Sequence, residues 1–284
     1  MTNEHWDRNS MTYAAVITHV QSDPSAASRL ACAIDVARRF DATLIGVAAE
    51  MVPPLAFDGG YYSLEADWQT AMREVAENHL KAARKDFRAA TTDFGERALF
   101  ECGVQMPEPA VAASSRAADL VVAGGAPQRH DPYTACGAAE LALTSGRPVL
   151  VAPPSARPLS AKIVLLAWKD TREARRALSD ANPFLERAER VVVMTICPRD
   201  DVEGAKLAVE DVAAALNRRG VNAEAKVVED AHPDGFQILR QASLEGADLI
   251  VMGAYGHSRL GEWVFGGVTA DLLAQDQAHL LLSH

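Results

Sequence analysis

Short runs of Val, Ile, Leu and Ala alternate along the chain with longer Ala-rich stretches in which apolar positions recur every three to four residues. In the first half, Tyr13–Val20, Thr43–Ala49, Ala98–Glu101, Leu120–Ala123 and Val149–Val151 read as strands. Helices are expected over 23–39, 64–90, 110–117 and 138–144, the first capped by Asp23 and opened by Pro24. The second half follows the same order. Its strands are Ile163–Ala167, Val191–Ile196, Ala223–Val228, Leu249–Met252 and Leu280–Leu282. Its helices begin after a Thr171 cap, run over 202–219 and 236–244, and include 272–274, with Gly220 and Gly246 at helix ends. Strands that are apolar throughout, not at every second residue, need cover on both faces, which a parallel sheet between helices provides. The expected fold class is therefore α/β: two tandem doubly wound, Rossmann-like domains. Each has a mostly parallel five-stranded sheet with helices on both faces.

The tandem arrangement rests on internal similarity. Residues 116–124 read RAADLVVAG and 245–253 read EGADLIVMG, an offset of about 130 residues. Each follows a Pro-containing helix start, at Pro107 and Pro109 in one half and Pro233 in the other, and each half closes on an apolar strand. The expected boundaries are a disordered leader at 1–10, a first domain at 11–152, a Pro- and Ser-rich linker at 153–161 and a second domain at 162–284. An insertion at Met51–Ser63 has no counterpart in the second half and reads as a surface loop or a lid. Because the closing strands Val149–Val151 and Leu280–Leu282 are apolar edges that need cover, the halves are expected to pack as an intrachain pseudo-dimer, with a homodimer of chains as a further option.

Charge and cysteine usage narrow the function. A net charge of −10 with no Lys/Arg-rich run argues against a nucleic-acid partner. No apolar stretch approaches the roughly 20 residues of a membrane span, and the polar start MTNEHWDRNSM lacks a secretory core. Cys32, Cys102, Cys136 and Cys197 are scattered, which suits buried thiols in a reduced cytoplasm, and the eight histidines form no metal-ligand spacing.

In open α/β sheets ligands bind beyond the carboxyl ends of the strands, where strand order reverses. After the fourth strand of the second half comes Gly253-Ala-Tyr-Gly256-His257, then nine residues on Gly266-Gly267-Val268, the start of the last helix. Glycines here let the backbone approach a ligand, and a helix start offers free N–H groups to a phosphate. A tight connection with a helix–sheet contact is the plain structural alternative.

With this loop, the ADLIVMGAYGHS run and the AWKDTREARRA start of the second half, the chain resembles the universal stress protein family, in its tandem bacterial form. Gly253, Gly256 and Gly266 match the spacing of the family's G-x2-G-x9-G-[S/T] nucleotide loop. The resemblance implies ATP or AMP held near Trp168, Lys169, Ile196, Met252, Gly253, Gly256, His257, Gly266, Gly267 and Val268, with magnesium entering only alongside ATP. Two positions depart from the pattern. Gly267 stands where the motif has Ser or Thr, and Lys169 where the family has a nucleoside-contacting Asp. In the first half the loop is Gly124-Gly125-Ala126-Pro127, continuing through Arg129 and His130 to Gly137, with Pro127 in place of the second glycine. A structural or partner-binding role is expected for that half.

The function expected is a cytoplasmic stress-response module that binds an adenine nucleotide in its second half and engages a protein partner not identified by the sequence. The alternatives are a structural family member with vestigial sites and a slow ATP hydrolase. No P-loop, nucleophile elbow or paired-carboxylate cluster supports catalysis, so no catalytic residue is assigned.

Overall fold

The computed structural model describes residues 12–21, 23–54, 62–125, 131–155, 157–230, 235–254 and 267–284. The first half runs β1 (Ala15–His19), α1 (Ala26–Phe40), β2 (Thr43–Ala49), α2 (Tyr62–Ala90), β3 (Ala98–Gly103), α3 (Pro107–Ser114), β4 (Leu120–Gly124), α4 (Ala138–Thr144) and β5 (Val149–Ala152). The second runs β6 (Ile163–Ala167), α5 (Arg172–Asp180), α6 (Asn182–Leu185), β7 (Arg190–Cys197), α7 (Val202–Asn217), β8 (Ala223–Glu229), α8 (Gly235–Glu245), β9 (Leu249–Gly253), α9 (Gly267–Leu273) and β10 (His279–Ser283). Short 3-10 turns lie at Thr92–Arg97, Ser115–Ala117 and Arg199–Asp201.

The ten strands form one continuous sheet in the order β3-β2-β1-β4-β5-β10-β9-β6-β7-β8. Pairing is parallel within each half, and β5 meets β10 antiparallel, with Leu280 opposite Val151, Leu281 opposite Leu150 and Leu282 opposite Val149. The carboxyl ends of the two halves' strands therefore point to opposite edges of the molecule. Alternate strand residues feed two cores. One contains Ala33 of α1, Phe87 of α2, Ala174 of α5 and Val209 of α7. The other contains Val111 of α3, Leu141 of α4, Ile238 of α8 and Leu272 of α9. An aromatic trio, Tyr13, Phe40 and Phe184, joins the halves on the first face with ring centroids 5.0–5.6 Å apart. Such ring pairs add about 1 kcal/mol each beyond area burial. The Tyr13 hydroxyl donates to the Asp180 carbonyl at 2.6 Å.

Several local expectations need correcting. Asp23 is not the cap of α1, which starts at Ala26 behind Ser25. The Asp23 carboxylate instead accepts from the Ser25 N–H at 2.7 Å and pairs with Arg29, so it serves the loop. Helix α3 begins at Pro107, not Ala110, because a proline in the first turn gives up no intrahelical hydrogen bond. Cys102 is exposed, since β3 is an edge strand, whereas Cys32 and Cys197 are buried as expected. Of the 51–63 insertion, Tyr62 and Ser63 belong to α2, the Met51 N–H donates to the Tyr133 carbonyl at 2.7 Å, and 55–61 lie outside the described residues, as does the 1–10 leader. Among the described residues no helix is long and apolar enough to cross a membrane.

Candidate functional site

Strand order reverses between β1 and β4 in the first half and between β6 and β9 in the second, which makes two crevices. The second-half crevice brings together most of the predicted residues that fall among those described. Trp168 and Lys169 follow β6, Ile196 lies near the end of β7, Met252 and Gly253 close β9, and Gly267 and Val268 open α9. Gly256, His257 and Gly266 lie outside the described residues.

Gly253 is fixed by packing. A Cβ there would stand 2.5 Å from the Glu173 carbonyl carbon and 2.6 Å from the Ala174 nitrogen, because the first turn of α5 rests on the strand end. Gly267 is different, with no atom of the described residues within 4 Å of an added Cβ. Above Gly253, Thr171 caps α5 through its Oγ1, which accepts from the Ala174 N–H at 3.3 Å. Buried Glu173 is held below the usual carboxylate range: burial pushes it up, but its hydrogen bond with Arg172 leads the contacts that outweigh burial.

Two groups at this crevice are unspent. Trp168 is buried, its backbone N–H donates to the Met194 carbonyl at 2.7 Å, and its indole Nε1–H is buried with no partner among the described residues. Lys169 is exposed, and its ammonium joins no ion pair among the described residues. Its neighbour Asp170 is already matched to Arg175 at 2.6 Å.

In the first-half crevice, where Pro127, Arg129 and His130 lie outside the described residues, the strand-end glycine is likewise covered by the start of a helix, α1. A Cβ on Gly124 would meet Ser25 Cβ at 2.7 Å and Arg29 Nη1 at 3.2 Å. Arg29 is buried; its Nε donates to the His19 carbonyl at 2.7 Å, its Nη2 donates to the Gln21 carbonyl at 3.1 Å and pairs with Asp23 at 2.8 Å. The guanidinium thereby locks the whole β1–α1 connection. Counting from the residue that rests on each strand-end glycine, Ser25 or Glu173, the second-half counterpart of Arg29 is Ala177, which has no such reach. Glu50, buried just past β2, takes His79 Nδ1 at 3.1 Å on both oxygens.

His19, Arg29 and Glu50 were not anticipated from the sequence. The available signal was Arg29 on the same helical stripe as Ala33 and Ala37, an arginine where α1 is otherwise apolar.

Burial, reinforced by the Arg29 charge, pushes the His19 imidazole down to about 3. A histidine whose folded value lies below its unfolded one, near 6.5, contributes stability that is complete above pH 6.5 and lost as pH falls toward 3. The wild type is expected to lose up to about 1.4 kcal/mol per pH unit from this group in that window. Urea unfolding of wild type and His19→Gln between pH 7 and 4 checks it, the variant having the flatter profile.

The match to the universal stress protein sequence family spans residues 129–278, just over half of the chain, from the loop before α4 through the second half. The chain belongs to the universal stress protein family. A universal stress protein of Archaeoglobus fulgidus has the same fold over 95% of this chain and 95% of its own, at 16% identity and a TM-score of 0.66. A Pseudomonas aeruginosa structure assigned to the same family covers 95% and 93% at 15% identity, with a TM-score of 0.60. Both speak for the fold across both halves of this universal stress protein. No curated protein matches the sequence.

Proposed function

We propose that this family member is a cytoplasmic stress-response module that binds one nucleotide, ATP or AMP, in its second half and acts by binding, not catalysis. The observation that carries the reading is the asymmetry of the two crevices. Arg29 locks the first through bonds to the His19 and Gln21 carbonyls and to Asp23, while in the second Lys169 beside Gly253 is exposed and joins no ion pair among the described residues. A buried nitrogen with no described partner occurs at both, His19 Nε2 in the first and Trp168 Nε1 in the second. The residues that would hold the nucleotide are Trp168, Lys169, Ile196, Met252, Gly253, Gly267 and Val268. No group of three His, Cys, Asp or Glu is placed to hold a metal among the described residues, so magnesium would arrive with the triphosphate.

An ammonium at Lys169 cannot accept from a ribose hydroxyl or an adenine amino group, but it attracts phosphate. Phosphate count is therefore expected to matter more than the base. Calorimetry should find ATP and GTP bound alike, AMP more weakly, and Lys169→Ala weakening ATP by up to about fivefold with a flatter salt dependence. Tenfold preference for ATP over GTP together with an unaffected Lys169→Ala would make Lys169 a surface lysine only.

A second reading, a family member whose two sites are both vestigial and which works through a protein partner, is favoured by Gly253, since packing against α5 already accounts for its missing side chain. Absence of binding by ATP, GTP and AMP would decide for it.

A further inference from the structure

The two outer edges of the ten-stranded sheet are treated differently. At β8 the flank is guarded by charge: Glu224 pairs with Arg190 at 2.6 Å, Lys226 with Glu245 at 2.5 Å and Glu229 with Arg199 at 3.8 Å. Charged, ion-paired edges resist the addition of another strand. At β3 the edge is largely apolar, and no described strand pairs with its outer side. Leu99 is 48% exposed, Phe100 is half-buried, and Cys102 is exposed. Its one acid, Glu101, is occupied by the Ser114 hydroxyl at 2.6 Å.

A cleft of about 280 Å³ opens beside this edge, on the face that β3 shares with α2. Phe87, itself buried, and Phe100, with ring centroids 5.3 Å apart, back the cleft with Ala98, while Arg88, Thr91, Thr92 and Gly95 give it a mostly polar exposed lining. Along a strand added next to β3, alternate side chains would lie on this face, one of them over the cleft. Two arginines of α2 border that track. Arg84 lies 5.6 Å from the Phe100 ring centre and donates to Cys102 Sγ at 2.9 Å, and Arg88 lines the cleft. Neither forms an ion pair among the described residues, whereas Arg38 and Arg97 nearby are matched to Asp93 and Asp41.

We infer that the β3 edge and its cleft are a docking site for an extended, acidic segment of a partner protein, which adds a strand to the sheet. The edge supplies backbone hydrogen bonds, the cleft takes one apolar or aromatic side chain, and Arg84 and Arg88 take carboxylates at alternate positions on either side. A second copy of this chain fits less well as the occupant, since the strand it would add, β3, carries one acid, Glu101, and that carboxylate is already taken by the Ser114 hydroxyl. The site is at the opposite end of the sheet from the second-half crevice, where nucleotide is proposed to bind, and does not depend on nucleotide.

The test uses the full chain and a fluorescein-labelled synthetic peptide of alternating Glu and Val with a central Phe, followed by anisotropy and by hydrogen exchange. Saturable binding is expected, with the amides of 99–103 slowed on binding. A matched peptide with Lys for Glu should bind about tenfold or more weakly, as should the Glu peptide to the exposed-site variants Arg84→Glu/Arg88→Glu and Leu99→Glu. Melting curves confirm that these surface variants fold. Unchanged exchange at 99–103, or equal binding of the two peptides, would overturn the inference. So would concentration-dependent self-association that protects 99–103 without any peptide, which would make a second copy the occupant.

Discussion

Arg29→Met is expected to destabilise the protein by about 3 kcal/mol, visible as a lower urea midpoint. Among the described residues Arg29 alone links the His19 and Gln21 carbonyls and the Asp23 carboxylate, and it is buried. Methionine has comparable length but no donors, so two carbonyls lose a partner and the mostly buried Asp23 charge faces no cation. The double variant Arg29→Met/Asp23→Asn should recover part of the loss, because the uncompensated charge goes with the aspartate. The His19 imidazole should also become easier to protonate in Arg29→Met, since the Arg29 charge is one of the influences that lower it. A variant as stable as the wild type would mean that the first crevice is not locked in this way.

Gly253→Ala should cost about 3 kcal/mol, at the upper end of overpacking substitutions. The added methyl would stand 2.5–2.8 Å from atoms of Glu173 and Ala174, two of them backbone, so all of α5 has to move. Gly267→Ala is the control. No atom of the described residues lies within 4 Å of its Cβ, and stability should stay within about 0.5 kcal/mol. Chemical denaturation of the two variants side by side measures this. A loss of nucleotide binding in folded Gly267→Ala would be a ligand effect, whereas the same loss in Gly253→Ala would be confounded by the displaced helix.

Much of this fold is legible in the sequence, because β2, β4, β6 and β9 are buried on both faces and their residues are apolar without interruption. Thr43–Ala49 and Ile163–Ala167 have in the structure the bounds that their apolar runs suggest. The four-residue helix α6 is not legible: Asn182–Leu185 is too short to display a period, and it carries Pro183. The site is harder to read for a different reason. Arg29, His19 and Glu50 belong to residue types that normally face solvent, and only tertiary packing buries them at the first crevice. Gly124 and Gly253 are prominent in sequence as loop glycines, yet both are compelled by a helix resting on the strand end. The matching steric role in the two halves is invisible until the register of Ser25 and Glu173 over those glycines is known.

Hydrogen exchange of the full chain with and without ATP tests the central claim most directly, because amides in both crevices are followed in one experiment. Slowed exchange is expected at 168–171, 252–254 and 267–270, with 19–25 and 124–125 unchanged. Protection of the first-half amides by ATP, or of neither set at saturating nucleotide, would contradict the proposal that nucleotide binds in the second half alone.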